Sequence, residues 1–370
     1  MKFLVICNSA SGLHNFRSML LKELIKKGDQ IVAIVPESTD DSQIGSENEL
    51  KKLGCQLIRM KIERRNIALK KDLFLLAGYA RCMFYFKPEF VITYTIKPNI
   101  YGGVICRLLK IPYAVNVTGL GSAFQKKNFL YKIVVLLYKL ALKNAKTVFF
   151  ENQNNFQIFL NERIIESSQG YLLNGAGVDL DKFSYHNYPQ PHRGTNFLFI
   201  GRIMKEKGVE ELFFAMKRLQ KDNQECHLYI VGNFEENYCE VIEKYEKEGW
   251  LTNCGHQKDV RPFIARADCF VLPSWHEGMS NTNLENAAMG RPVITSNISG
   301  CKEAVIDGVS GMLCEPGDEE EVYNAMKKFL DLTYEERKTM GIEGRKHMEK
   351  NFDKKEIVKK TISRLDMITS

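Results

Sequence analysis

No run of about 18 uncharged apolar residues occurs in this 370-residue chain, so nothing in it reads as a membrane-spanning helix. The first apolar run, Phe3 to Cys7, is shorter than the core of a signal peptide. Ten cysteines are present, yet no two form a Cys-x-x-Cys pair, and Cys7, Cys106 and Cys269 sit inside apolar stretches. That pattern argues against a zinc site or a disulfide framework and for buried reduced thiols, which points to the cytosol. The turn after the first strand lacks Gly-x-Gly-x-x-Gly, and Gly119-Leu120-Gly121 is too short to substitute, which argues against a dinucleotide oxidoreductase. Internal repeats and low-complexity tracts are also missing.

What is present divides the chain by charge. From Lys51 to Lys146 there are 19 Lys/Arg against 3 acids, a balance of +16, while residues 191–370 carry 26 Lys/Arg against 30 Asp/Glu, or −4. A basic half implies nucleic acid, an anionic membrane surface or a phosphorylated ligand. Its aromatic residues lie mostly inside apolar runs rather than between cations, so nucleic acid is not an expected partner.

Short β-branched and aromatic runs alternate with helical patterns through both halves. Strands are expected at Lys2–Cys7, Gln30–Val35, Gln56–Met60, Phe90–Thr93, Tyr113–Val117 and Thr147–Phe150, then at Asn196–Ile200, His227–Val231, Cys269–Leu272, Pro292–Thr295 and Gly311–Cys314. Apolar strands separated by amphipathic helices predict an α/β chain with two doubly wound parallel sheets. The polar segment Ser184–Thr195, with Pro189, Pro191 and Gly194, reads as the linker. It sets domains of 1–183 and 184–351, with a last helix from 352 to 370 packing back on the first.

Two clusters carry chemistry. Gly201-Arg202 and Lys207-Gly208 follow an apolar strand; about seventy residues on, Glu277 and Glu285 flank Gly278-Met279-Ser280-Asn281 before a short helix. Arg202 suits a bidentate phosphate contact and Lys207 supplies a mobile point charge. The carboxylates suit sugar and ribose hydroxyls, and amides around Met279–Asn281 suit phosphate or sugar oxygens. Together they fit a nucleotide sugar. A glycosidase would need its carboxyls roughly 5 Å apart and has no use for the cations. Locally, Thr282-Asn283-Leu284-Glu285 also reads as a capping box, and Asp179-Leu180-Asp181 as turn structure rather than a metal motif.

Gly201-Arg202-x4-Lys207-Gly208, the Glu277-x7-Glu285 spacing and the Asn174–Phe183 segment resemble retaining glycosyltransferases of family 4. Val117–Ser122 looks like members that build bacterial capsule or O-antigen units on polyprenyl-diphosphate carriers. The resemblance implies the GT-B fold, two Rossmann-like domains facing a cleft, with acceptor on the first and a UDP-sugar donor on the second. It implies transfer with retention and no metal or other cofactor. Arg202 and Lys207 would hold the diphosphate, Glu277 the sugar and Glu285 the ribose, with Gly12 letting backbone approach the diphosphate. Many members carry a histidine where this chain has Thr118, so the proton would pass to the leaving phosphate or to another group such as His14. A nucleotide-sugar epimerase on the same scaffold is the alternative, and a non-catalytic nucleotide binder a further one.

The acceptor side is read from the basic half. Lys132, Lys139, Lys143 and Lys146 recur on one helical face, and Lys61, Arg64, Arg65, Lys70, Lys71, Lys126 and Lys127 add to the same sign. Such a field suits a lipid-diphosphate-linked glycan acceptor at an anionic membrane surface, with Arg17, Lys126 and Lys127 as contacts. The expected location is peripheral, at the inner face of the cell membrane.

Overall fold

The computed structural model describes residues 1–62, 69–124 and 127–369. The chain forms two compact units, residues 1–176 with 355–370, and residues 177–354.

The first unit holds strands β1 (Lys2–Ile6), β2 (Gln30–Pro36), β3 (Gln56–Met60), β4 (Phe90–Tyr94), β5 (Tyr113–Val117), β6 (Thr147–Phe150) and β7 (Gly170–Leu172). They pair in the order β3-β2-β1-β4-β5-β6-β7, every pair parallel. Alternation along each strand feeds both faces: Leu4 and Ile6 enter one core, Phe3 and Val5 the other. One face is covered by α3 (Leu69–Phe86), α4 (Gly103–Leu109), α5 (Phe129–Leu142) and α6 (Gln153–Asn161). The other is covered by α1 (Ala10–Lys26), α2 (Asp41–Lys52) and the chain's last helix, α13 (Lys354–Thr369). Ile357, Val358 and Leu365 of α13 are buried there, and Arg364 reaches the Thr147 hydroxyl at 3.3 Å.

The second unit contains β8 (Thr195–Ile200), β9 (Cys226–Val231), β10 (Leu251–Asn253), β11 (Cys269–Leu272), β12 (Val293–Ser296) and β13 (Gly311–Cys314), paired in parallel as β10-β9-β8-β11-β12-β13. Its helices are α7 (Val209–Lys221), α8 (Cys239–Lys247), α9 (Arg261–Arg266), α10 (Asn281–Ala288), α11 (Glu319–Leu330) and α12 (Tyr334–Asn351). The two strands missing from the sequence reading, β7 and β10, are three residues long and lie at sheet edges. One buried flank leaves such strands little apolar signal. Among the described residues, no helix is long and apolar enough to cross a membrane.

The second unit begins earlier than the expected Ser184. Val178 forms a parallel bridge with Asp353: its N–H donates to Phe352 at 2.8 Å and its carbonyl accepts from Lys354 at 3.0 Å. The segment read as a linker is packed inside this unit. Tyr188 is buried with its hydroxyl on the Asp268 carbonyl, and the His186 amide donates to Met289. Arg291, fully buried, donates to the carbonyls of Asn187 (2.8 Å), Ile264 (2.8 Å), Ala265 (3.2 Å) and Gly290 (3.3 Å). Burial lowers its pKa to about 10, so it remains a cation at neutral pH, satisfied by backbone alone. Arg291→Leu strands these acceptors, and calorimetric unfolding of the variant is expected to show a loss of at least about 3 kcal/mol. An unchanged transition would show that Arg291 is not what ties the segment down.

Candidate active site

The sheet order of the second unit turns at β8: the chain runs outward through β9 and β10, then returns to β11 on the other side. At such a switch point the loops after two adjacent strands diverge and leave a crevice outside their carboxyl ends. Here these are the loops after β8 and β11, which contain the two sequence clusters. The seventy-residue separation is closed by strand pairing, Cys269 against Phe197 and Phe270 against Leu198.

Three contacts weld the loops together. Gly208 has φ 73°, and a Cβ there would lie 2.1 Å from the Pro273 carbonyl oxygen. No other residue tolerates both demands. The Trp275 amide donates to Glu206 at 2.9 Å, and its indole donates to the Glu211 carboxylate at 2.9 Å. Across this seam Lys207 Nζ pairs with Glu277 Oε1, both side chains largely buried. Ser274, itself buried, donates to the same oxygen at 3.0 Å. The expected phosphate cation and the expected sugar carboxylate therefore hold each other. Arg202 stands near this pair in sequence but faces solvent, its side chain 51% exposed and its guanidinium 3.5 Å from Glu235.

A third loop, after β12, supports the Glu277 backbone. Gly300 has φ 93°, and a Cβ there would meet the carbonyls of Glu277 and Gly278 at 2.7 Å. Its own carbonyl accepts from the Ser280 amide at 2.7 Å. Of the amides expected around Met279–Asn281, that of Ser280 is therefore already bonded. Met279 packs into the core. The Asn281 side-chain amide donates to the Met279 carbonyl at 3.3 Å, while its Oδ1 is buried with no hydrogen-bond partner among the described residues.

The capping box is also corrected. Ser280, not Thr282, caps α10, its Oγ accepting from the Asn283 amide at 3.3 Å. Glu285 is thus released from capping. Its carboxylate makes no hydrogen bond or ion pair among the described residues; its charged neighbours are Lys182 and Lys354. Burial raises its pKa to about 7 from an ordinary 4.5, with the two lysines pulling the other way. Asp179 behaves as expected for a turn, its Oδ1 accepting from the Asp181 and Lys182 amides at 3.1 and 3.0 Å. Among the described residues no group of His, Cys, Asp and Glu could hold a metal ion.

The candidates in the first unit sit differently. Ser9 caps α1 and accepts from the Gly12 amide at 3.0 Å, and a Cβ on Gly12 would stand 3.3 Å from the Ser9 side chain. Gln43 of α2 accepts from the Ser11 amide at 3.1 Å, so the first turn of α1 is already capped. His14 is half-buried in α1, facing Glu49 of α2, a carboxyl whose pKa is lowered chiefly by its hydrogen bond to Lys52 and least by His14. Thr118 is half-buried just past β5. Arg17, expected as an acceptor contact, is buried in an ion pair with Glu151, its guanidinium 4.9 Å from the Tyr94 ring centroid. Lys127 is exposed ahead of α5, whereas Lys126, Arg64 and Arg65 lie outside the described residues.

Ser274, Trp275 and Gly300 were not singled out from sequence. Ser274 could have been, standing three residues before Glu277. Nothing local marks Gly300, whose partner loop is over twenty residues earlier.

A model of the 4-like glycosyl transferase family matches residues 6–152, and a model of glycosyl transferases group 1 matches residues 194–331. Together they account for most of the chain, which belongs to the glycosyltransferases of GT-B fold. More particularly, it is 25% identical over 327 residues to the N,N'-diacetylbacillosaminyl-diphospho-undecaprenol alpha-1,3-N-acetylgalactosaminyltransferase of Campylobacter jejuni, covering 83% of each chain. It is 26% identical to the capsular polysaccharide biosynthesis glycosyltransferase CapM of Staphylococcus aureus, covering 89% of this chain and 88% of that one. Anabaena HepE in complex with UDP superposes with a TM-score of 0.79 at 16% identity, covering 99% of this chain and 100% of that one.

The Glu285 recess makes a stability prediction with a definite sign. The folded state holds this proton up to about pH 7, whereas the unfolded chain releases it near 4.5. Folding is therefore favoured below 4.5, and that advantage is lost as pH rises to about 7. Glu285→Gln is expected to stabilise the protein by about 1–3 kcal/mol at alkaline pH and by little in acid. Thermal melts at both ends of this range check it; an equal shift at both would sink the burial argument.

Proposed function

We propose that this glycosyltransferase moves a sugar from a UDP-sugar to a polyprenyl-diphosphate-linked saccharide, with retention, at an anionic membrane surface during bacterial surface-polysaccharide synthesis. The observation that carries the reading is the Lys207–Glu277 pair seated at the β8/β11 switch point. Support comes from the Campylobacter relative, named for a diphospho-undecaprenol acceptor, and from HepE, which shares the fold and was solved with UDP.

In this reading the donor diphosphate takes Lys207 and Arg202, and the sugar hydroxyls take Glu277. The ribose lies near Glu285. The C1–oxygen bond to the phosphate breaks and an acceptor hydroxyl attacks from the same face. Its proton passes to the departing phosphate oxygen, which needs no protein base at Thr118. Negative charge grows on that phosphate as the bond breaks, so a nearby ammonium favours the transition state over bound donor. The chain's own cations meet the diphosphate charge.

Incubation with a panel of UDP-sugars and an undecaprenyl-diphosphate saccharide should give a larger lipid glycan and free UDP. Lys207→Ala is expected to lower kcat by about 10²–10³-fold, with a smaller change in KM. Full activity in that variant would remove Lys207 from the reaction. A sugar nucleotide altered without acceptor would favour epimerisation instead.

A further inference from the structure

Eleven of the nineteen exposed large apolar side chains among the described residues lie on α3, α4 and α5. The three helices cover the same sheet face, and α4 sits between the other two. Cys106 of α4 meets Met83 of α3 at 3.9 Å between sulfurs, and Arg107 of α4 donates to the Leu140 carbonyl of α5 at 3.0 Å. A Cβ on Gly103 would touch the Ala141 backbone at 2.8 Å. The inward sides are spent on the core through Leu75, Tyr79, Met83, Val134 and Tyr138.

The outward sides are not polar, as a solvated helix face would be. On α5, Phe129, Ile133, Leu136 and Leu140 are exposed at steps of four, three and four, one continuous stripe. On α3, Phe74, Phe84 and Tyr85 are 77–79% exposed, and Leu108 at the end of α4 is 70% exposed. Apolar surface on this scale marks a binding face.

Charge decides what it binds. Residues 69–146 contain 13 Lys/Arg and only two acids, Asp72 and Glu89. Asp72 is buried against Lys97 at 2.9 Å, and Glu89, exposed just ahead of β4 and not on these helices, accepts from the Lys2 amide at 2.6 Å. Arg81, Lys110, Lys132 and Lys143 are exposed. A second copy meeting this face about a two-fold axis would set cations against cations. Nucleic acid would use the rings but not the leucines and isoleucine between them.

We infer that the outer face of α3, α4 and α5 docks on an anionic lipid bilayer, with Phe74, Phe84, Tyr85, Leu108, Phe129 and Leu136 entering the interface. This deepens the proposed function, in which the acceptor is lipid-linked, but the docking requires only the face itself. Aromatic rings settle at headgroup depth, and each lysine or arginine near the surface adds attraction to anionic lipid.

The test is co-sedimentation of the full chain with vesicles of phosphatidylcholine containing about one third phosphatidylglycerol, against phosphatidylcholine alone. Binding should require the anionic lipid and weaken with salt. Phe84→Ser and Phe129→Ser, both at exposed positions, should each lower partitioning about tenfold without changing the melting temperature. The paired reversal Lys132→Glu with Lys143→Glu should lower it at least as far. In Phe129→Trp, indole emission should shift to the blue on adding vesicles, because the native Trp250 and Trp275 lie in the other unit. Equal binding to neutral vesicles, or binding untouched by these variants, overturns the inference. So does self-association that the variants abolish while vesicle binding stays nil. Transfer to an acceptor on a short, water-soluble carrier separates the two readings: activity there without vesicle binding overturns only the docking, and vesicle binding without any transfer overturns only the function.

Discussion

Everything at the candidate active site hangs on the close approach of the β8–α7 and β11–α10 loops at Gly208. The backbone there takes a left-handed turn and presses its Cα against the Pro273 carbonyl, with no space for a methyl group. Because α7 starts at the next residue, that contact fixes where the Lys207 side chain leaves the backbone and how near it comes to Glu277. Gly300 repeats the device from the other side, pressing on the carbonyls of Glu277 and Gly278. The Pro273–Gly278 loop is therefore held between two glycines whose missing side chains are the condition for its position. The position of the Lys207–Glu277 pair depends on backbone proximity first and on charge second.

The fold was legible because its signal is carried by long apolar runs. Strands buried on both faces, such as β1 and β11, announce themselves in any reading. The short edge strands β7 and β10 do not. The linker failed for a different reason: proline, glycine and polarity in 184–195 reported an irregular backbone correctly, but not that Arg291 and Tyr188 pin it to one unit. Local composition describes how a segment is built, whereas burial by a residue a hundred positions away is a tertiary fact.

The site was legible in its parts and not in its couplings. Lys207 and Glu277 were each named from spacing, yet their mutual pairing depends on strand order. Arg17 was named as a contact too, but one sequence cannot show that Glu151, far downstream, pairs with it. Beside its reading as the ribose carboxylate, Glu285 also fitted a capping partner because the Thr282–Glu285 spacing is right for one; the helix in fact starts at Asn281, with Ser280 as its cap. A shift of two residues separates a solvated cap from a carboxylate in a recess.

That pairing bears on how such a site chooses its ligand. A lone ammonium in a recess attracts any anion of suitable size, and free phosphate would occupy it. Lys207 is instead covered by Glu277, with Ser274 completing the carboxylate's shell. Separating two largely buried charges is costly unless both are satisfied at once. Inorganic phosphate could satisfy the lysine but would leave a carboxylate facing an anion. Under the proposed reading, a nucleotide sugar does better, because its phosphate meets Lys207 while its sugar hydroxyls donate to Glu277. Discrimination then comes from the requirement that one ligand carry acceptors and donors at the right separation, a penalty against partial matches more than an attraction to the whole.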